Sequence, residues 1–281
     1  MSNSHGVRVT GTEFLDMPGG RLAYEVIGPQ DGPLVVCAHG MGDTRRVFRF
    51  LAPRLAEAGY RVATVDVRGH GESSTGWPDH SPRSIGADLL ALVRHLGGPA
   101  VLVGSSSSAG AVAWTTATAA EGEVRAVAML APFVGQPQLS LMLRLVKDLV
   151  MASPLLWGMY YRSLYPTARP ADLPGYLREL KATLREPGRM AAVSGVVAPA
   201  EGHWTDCAPR MTCPVLIVMG SKDPDFPDPA AEARLAEEVL RPYAATAGVA
   251  MIEGAGHYPH AELPEATFAA LEGFLAGAVR A

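Results

Sequence analysis

No stretch of this chain offers the roughly 18 consecutive apolar residues of a membrane-spanning helix, and Met1 to Thr12 lacks the apolar core of a secretory signal. A protein without a membrane span is expected, with a cytoplasmic location as the default. Basic residues are not in excess: 24 Lys and Arg stand against 28 Asp and Glu, for a formal net charge of −4, and no run of like charge stands out. Nothing in such a balance would draw the chain to a phosphate backbone or an anionic lipid surface, so nucleic acid is set aside as a partner. Cysteine is scarce. Cys37, Cys207 and Cys213 are odd in number and show no metal-ligand spacing, and they read as free, buried thiols. With no ligand cluster and no dinucleotide fingerprint, neither a metal nor an organic cofactor is expected. Internal repeats are also missing.

What the chain has in quantity is apolar side chain, 48% of 281 residues against 19% charged, enough for a large core. Short apolar or β-branched runs alternate with helix-length amphipathic segments, the signature of a parallel sheet with crossover helices. The predicted strands are Val7 to Leu15, Leu22 to Ile27, Leu34 to Ala38, Arg61 to Val65, Ala100 to Val103, Arg125 to Leu130, Val215 to Met219 and Val249 to Ile252. The first two alternate in polarity around Pro18-Gly19-Gly20, as a hairpin does. The later ones are continuously apolar, as strands covered on both faces are. Helical spacing appears at Val47, Phe50, Leu51 and Leu55, at Ile85, Leu89, Val93 and Leu96, and from Glu265 to Arg280. The fold class is therefore α/β: a mostly parallel eight-stranded sheet with helices on both faces.

Between Phe133 and Asp206 the alternation stops, and helix-like pieces are punctuated by Pro137, Pro154, Pro166, Pro170, Pro174, Pro187 and Pro199. This divides the chain into a core, residues 1–134 and 207–281, and a helical cap, residues 135–206. The cap is rich in large side chains with polar tips. Met142, Trp157 and Tyr161 are candidates to line a substrate pocket beneath it, the alternative being that they pack the insertion onto the core.

The densest chemical signal is Ala100-Val-Leu-Val-Gly104-Ser-Ser106-Ser-Ser108-Ala-Gly110, which runs from a buried strand through small residues into a helix. A serine at the apex of such a turn has its hydroxyl above the sheet edge, and its neighbours must be small for strand and helix to approach. The segment resembles the G-x-S-x-G nucleophile elbow of the α/β-hydrolase family, with Ser108 where the second glycine usually stands. In that register Ser106 is the nucleophile. A competing register makes Ser108 the nucleophile and Gly110 the second small residue.

Three further segments follow the family's order. Leu34-Val-Val-Cys-Ala-His39-Gly40-Met41-Gly42-Asp43 resembles its oxyanion loop, which implies that the N–H groups of Met41 and Ser107 face the developing oxyanion. Asp66-Val-Arg68-Gly69-His70-Gly71-Glu-Ser73 resembles its D-x-R-G-x-G-x-S turn, with an architectural role. His70 in that turn reads as structural rather than as a base. Val215-Leu-Ile-Val-Met-Gly220-Ser-Lys-Asp223 resembles the strand bearing the triad carboxylate, with Asp225 and Asp228 close enough to compete. Last, Gly254-Ala-Gly256-His257 resembles the histidine loop, with His260 as a helix-start or pocket-lining residue.

The resemblance thus implies a Ser106, Asp223, His257 triad in the chain order of this fold. It implies a hydrolase that cleaves a carboxylic ester, or a related acyl bond, of a small and largely apolar molecule through an acyl-enzyme. A serine nucleophile argues against the dehalogenase and epoxide-hydrolase branches, which use aspartate. Lactonases, thioesterases and C–C bond hydrolases share the scaffold, as do small-molecule receptors that keep the triad. Neither the substrate nor the oligomeric state is legible.

Overall fold

In a computed structural model, which describes residues 8–9, 11–134, 141–197 and 203–280, the apolar runs become a single sheet. Its strands are β1 (Arg8–Val9), β2 (Glu13–Met17), β3 (Gly20–Gly28), β4 (Leu34–Ala38), β5 (Arg61–Val65), β6 (Ala100–Ser105), β7 (Val124–Leu130), β8 (Val215–Gly220) and β9 (Ala247–Ile252). The order across the sheet is β1-β3-β5-β4-β6-β7-β8-β9, with β2 also pairing β3. From β5 to β9 every pairing is parallel; β1, β2 and β3 are antiparallel additions at one edge. The expected strand from Val7 to Leu15 is thus two short strands on one edge of β3. β1 pairs Ile27 and Gly28, and β2 pairs residues from Gly20 to Tyr24 through the Pro18-Gly19 turn.

The helices are α1 (Leu51–Glu57), α2 (Pro82–His95), α3 (Ser107–Thr118), α4 (Leu141–Ala152), α5 (Pro154–Ser163), α6 (Leu173–Leu184), α7 (Arg189–Val197), α8 (Pro229–Leu240), α9 (Pro259–Glu262) and α10 (Pro264–Arg280). Three of them open alike, with a capping side chain followed by proline at the first position. Ser81 Oγ accepts from Ser84 N, Ser153 Oγ from Leu156 N, and Asp228 Oδ1 from Ala231 N. The proline costs nothing where an N–H would be orphaned, and each cap contributes about 1 kcal/mol.

Alternation along the buried strands divides the core in two. Leu34, Val36, Ala38 and Leu102 face α2, α3 and α8, where Ile85, Leu89, Val112 and Leu240 meet them. Val35, Cys37, Val101 and Val103 face α1 and α10, through Leu51, Leu55, Leu271 and Leu275. Each such leucine taken out of water contributes about 1.5–3 kcal/mol. The second face is continuous with the helices between β7 and β8, because Trp157, Tyr161, Tyr165, Leu173 and Tyr176 belong to the same packed cluster. Of the expected cap boundaries, residue 135 lies outside the described residues. Asp206 falls inside a 3₁₀ segment, Trp204–Arg210, that packs on α3.

Main-chain bonds continue across the sheet where the strands end. Ser106 N–H donates to Leu130 O at 2.8 Å, Ala131 N–H to Val218 O at 2.8 Å, and Ser221 N–H to Ile252 O at 3.0 Å. The carboxyl ends of β6, β7, β8 and β9 are therefore fixed relative to one another, and the loops leaving them carry Ser106, Asp223 and His257.

Among the described residues no helix is long and apolar enough to cross a membrane. The three thiols are unpaired; Cys37 and Cys207 are buried and Cys213 half-buried.

Candidate active site

Ser106 sits between β6 and α3 with φ 54° and ψ −119°, in the left-handed region that a non-glycine residue seldom enters. Such strain persists only where its surroundings impose it, and here they are visible. A Cβ on Gly104 would collide with the carbonyl of Ser108, and one on Gly40 would stand 2.9 Å from Ser106 Cβ. The close approach that the small residues predicted is between β6, the first turn of α3 and the loop after β4. Ser108, in the position usually held by glycine, is buried in that first turn, and its Oγ donates to His39 O at 2.5 Å. Its hydroxyl is thus committed to the main chain. Ser105 is buried too, and its Oγ has no partner among the described residues.

The loop after β4 is held by two buried histidines. His39 accepts from Val67 N–H through Nε2 at 3.1 Å, so its Nδ1–H donates to Gly40 O at 2.7 Å. His70 accepts from Gly42 N–H through Nε2 at 3.1 Å and donates from Nδ1 to Arg68 O at 3.0 Å. Both rings work as neutral acceptors. Burial lowers His39 to about 4, and burial with the neighbouring His39 lowers His70 to about 3. His70 therefore has the structural part expected of it. Between the residues these histidines hold lies Met41. Neither its N–H nor that of Ser107 reaches an acceptor among the described residues.

The turn after β5 is architectural in detail. Asp66, fully buried, accepts from Arg45 N–H at 2.7 Å, from Glu72 N–H at 2.9 Å and from the Arg45 guanidinium. Arg45 also bridges to Glu25 and Glu72.

His257 and Asp223 meet directly. Nδ1 of His257 stands 2.7 Å from Asp223 Oδ2, with both residues buried. The bond fixes the proton on Nδ1 and leaves the Nε2 lone pair to act as a base. The loop that carries the histidine is anchored from the main chain: His257 N–H donates to Leu164 O at 3.1 Å, and Gly256 N–H to Glu262 Oε2 at 2.6 Å. Burial works against a charge on His257, but the carboxylates of Asp223, Asp225 and Asp43 outweigh it and lift the ring to about 9. Phe133 and Phe226 lie against the imidazole, with ring centroids 5.8 and 6.5 Å away. Asp223, Asp225 and His257 also form the one group among the described residues whose donor atoms lie within 4.8 Å of each other. Nδ1 carries the proton of the hydrogen bond to Asp223, so it has no lone pair to offer a cation.

Trp157 and Tyr161 are where the sequence's alternative put them, packing the insertion onto the core. They are 1% and 0% exposed. The Trp157 indole donates to Gly42 O at 2.9 Å and the Tyr161 phenol to Asp43 Oδ2 at 2.8 Å. Met142 is 72% exposed on α4, beside the equally outward Leu145 and Leu149. His260, in α9, is buried and stacked on Phe48 at 4.8 Å, with neither ring nitrogen partnered among the described residues.

Asp43 closes the oxyanion-loop motif and has a role that its spacing did not announce. It is buried and accepts from Tyr161 and from the Tyr176 phenol of α6. Burial raises it to about 6 against those hydrogen bonds. Two of the helices between β7 and β8, α5 and α6, are thus fastened to the end of the loop that carries Met41.

The sequence profile of the alpha/beta hydrolase family matches residues 35–271. The chain belongs to this family. Among curated relatives, "Bifunctional epoxide hydrolase 2" of Sus scrofa is 32% identical over 162 residues, 56% of this chain and 27% of that protein. The chain spans 20% to 27% of the length of several curated relatives that it matches. The "2-(acetamidomethylene)succinate hydrolase" of Mesorhizobium japonicum is 29% identical over 270 residues, covering 91% of this chain and 92% of that one. The crystal structure of a bromoperoxidase from Bacillus anthracis superposes with a TM-score of 0.79 at 21% identity, over 94% of this hydrolase-family chain and 99% of the other. Likeness at that identity is likeness of fold.

Proposed function

We propose that the chain is a serine hydrolase that cleaves a carboxylic ester of a small, largely apolar molecule through an acyl-enzyme. The observation that carries this reading is the 2.7 Å bond from His257 to Asp223, on the same sheet edge as the strained Ser106. Neutral His257 takes the Ser106 proton at Nε2 as Oγ attacks the carbonyl carbon, and Asp223 stabilises the imidazolium that results. The N–H groups of Met41 and Ser107 receive the negative oxygen of the tetrahedral intermediate, a service worth about 10²–10³ in rate for each such donor. The imidazolium then protonates the leaving alcohol, and water, activated by the same base, releases the acid.

Serine at the apex separates this reading from the epoxide hydrolases among the relatives, since the aspartate that those branches use would leave no hydroxyl to acylate. Phe133 and Phe226 beside the base support an apolar acyl or aryl group. Residues 135–206 are the cap of this reading and residues 1–134 and 207–281 its core, with α5 and α6 rooted on the oxyanion loop.

An amide-type acyl bond is a second reading, favoured by the near full-length match to the Mesorhizobium enzyme, whose name carries an acetamido group. Turnover of 4-nitrophenyl esters against matched anilides, with and without Ser106→Ala, separates the two. Absence of turnover on both, with no fluorophosphonate label on Ser106, would sink the serine mechanism.

A further inference from the structure

Two adjacent tyrosines of α5 reach two separate carboxylates. Tyr161 goes to Asp43, and the Tyr160 hydroxyl stands 2.8 Å from both oxygens of Asp225. Asp225 has no part in the mechanism above, yet its Oδ2 lies 3.7 Å from Nδ1 of His257, the nitrogen that donates to Asp223. It is held there from a second side, because its own N–H donates to Asp223 Oδ1 at 3.0 Å. Its side chain is 15% exposed, so water screens its charge little.

Two carboxylates this close repel, and burying both adds to the cost. A buried acid in such a place ordinarily has a lysine or arginine. Among the described residues the one ionic partner of Asp225 is His257. The pair is therefore best satisfied when the imidazole whose Nδ1 they share is positive, which is the state that proton transfer from serine creates. Resting on the function proposed above, we infer that Asp225 is a positioning residue: a second carboxylate that Tyr160 holds against His257, stabilising the imidazolium alongside Asp223.

The electrostatics run the same way. Asp225 is one of the groups that raise His257, and its own carboxyl is raised by burial and by Asp223, against the pull of His257 and the Tyr160 hydrogen bond. The other titratable groups facing the ring are Asp43 from the oxyanion loop, and Tyr258 and His260 from its own segment. None of these touches Nδ1.

The test is the titration of the His257 ring, followed by nitrogen NMR in the full chain for wild type, Asp225→Asn and Tyr160→Phe. Asp225→Asn should lower the midpoint by about one pH unit, the lower end of what an adjacent charge produces, while Asp223 keeps the proton on Nδ1. Tyr160→Phe, which removes the donor that favours the ionised Asp225, should shift it the same way by less. It also carries the test alone should Asp225→Asn fail to fold. Midpoints equal to wild type in the folded variants would overturn the inference. Fluorophosphonate labelling of wild-type Ser106 is a separate readout: its absence removes the serine mechanism, whereas the NMR midpoints decide the Asp225–His257 coupling by themselves.

Discussion

Ser108 Oγ donates to the carbonyl of His39, so α3, the helix behind Ser106, and the loop after β4 share a hydrogen bond. Ser106→Ala should therefore abolish ester turnover and fluorophosphonate labelling, whereas Ser108→Ala should keep labelling. Its cost should be about 1–3 kcal/mol of stability, the price of leaving a buried carbonyl without its donor. Intact-mass analysis after labelling, with urea unfolding of both variants, checks this. Labelling that survives in Ser106→Ala and vanishes in Ser108→Ala would establish the other register.

In the proposed mechanism only neutral His257 accepts the Ser106 proton, and its carboxylate neighbours raise the ring to about 9. Hydrolysis should accordingly rise with pH through a midpoint well above the ~6.5 of an ordinary histidine. The kcat/KM profile reports the free enzyme. A plateau already reached at neutral pH would contradict the carboxylate-rich surroundings described for this ring.

His39, His70 and His260 are lowered to about 4, 3 and 3, in each case chiefly by burial. Their folded values lie below the unfolded one, so the stability they lend is complete above about pH 6.5 and is lost as pH falls from there toward 3. Urea midpoints should drop steeply between neutral pH and pH 4. His260→Phe, which retains a ring against Phe48 and removes two nitrogens without a partner among the described residues, should flatten that drop and gain about 1 kcal/mol at neutral pH. An unchanged acid limb in this variant would clear His260 of the effect.

Tyr176→Phe takes one of two phenol donors from buried Asp43. The expected result is a loss of about 1–3 kcal/mol in urea unfolding, with kcat falling more than KM rises, because the loop it steadies carries Met41. Unaltered kcat in a destabilised protein would confine the contact to packing.

What could be read from the chain alone was whatever is local. Gly104 and Ser106, the Asp66 turn and the Gly254-Ala-Gly256-His257 loop are each set by neighbours within a few positions. Strands such as Leu34–Ala38 and Val215–Gly220 declare themselves because burial on both faces leaves them continuously apolar. Asp43 was unreadable for the opposite reason: the tyrosines that satisfy it lie 118 and 133 residues further on. Trp157 and Tyr161 misled through their chemistry, since a large ring with a polar tip suits a pocket roof and a buried anchor equally well. Asp225 lay close enough to compete with Asp223; the spacing after Gly220 favours Asp223, and of the two Asp223 stands nearer Nδ1, at 2.7 Å against 3.7 Å.

The three main-chain bonds that join the ends of β6, β7, β8 and β9 involve no side chain at all. Any residue could stand at 106, 223 or 257 without loosening the frame that presents it, provided that the turn at 106 tolerates its backbone. Reactive groups on such a frame are exchangeable parts. A chain with serine at the apex and proteins named for epoxides, esters or peroxide chemistry can then share one architecture at about a fifth sequence identity.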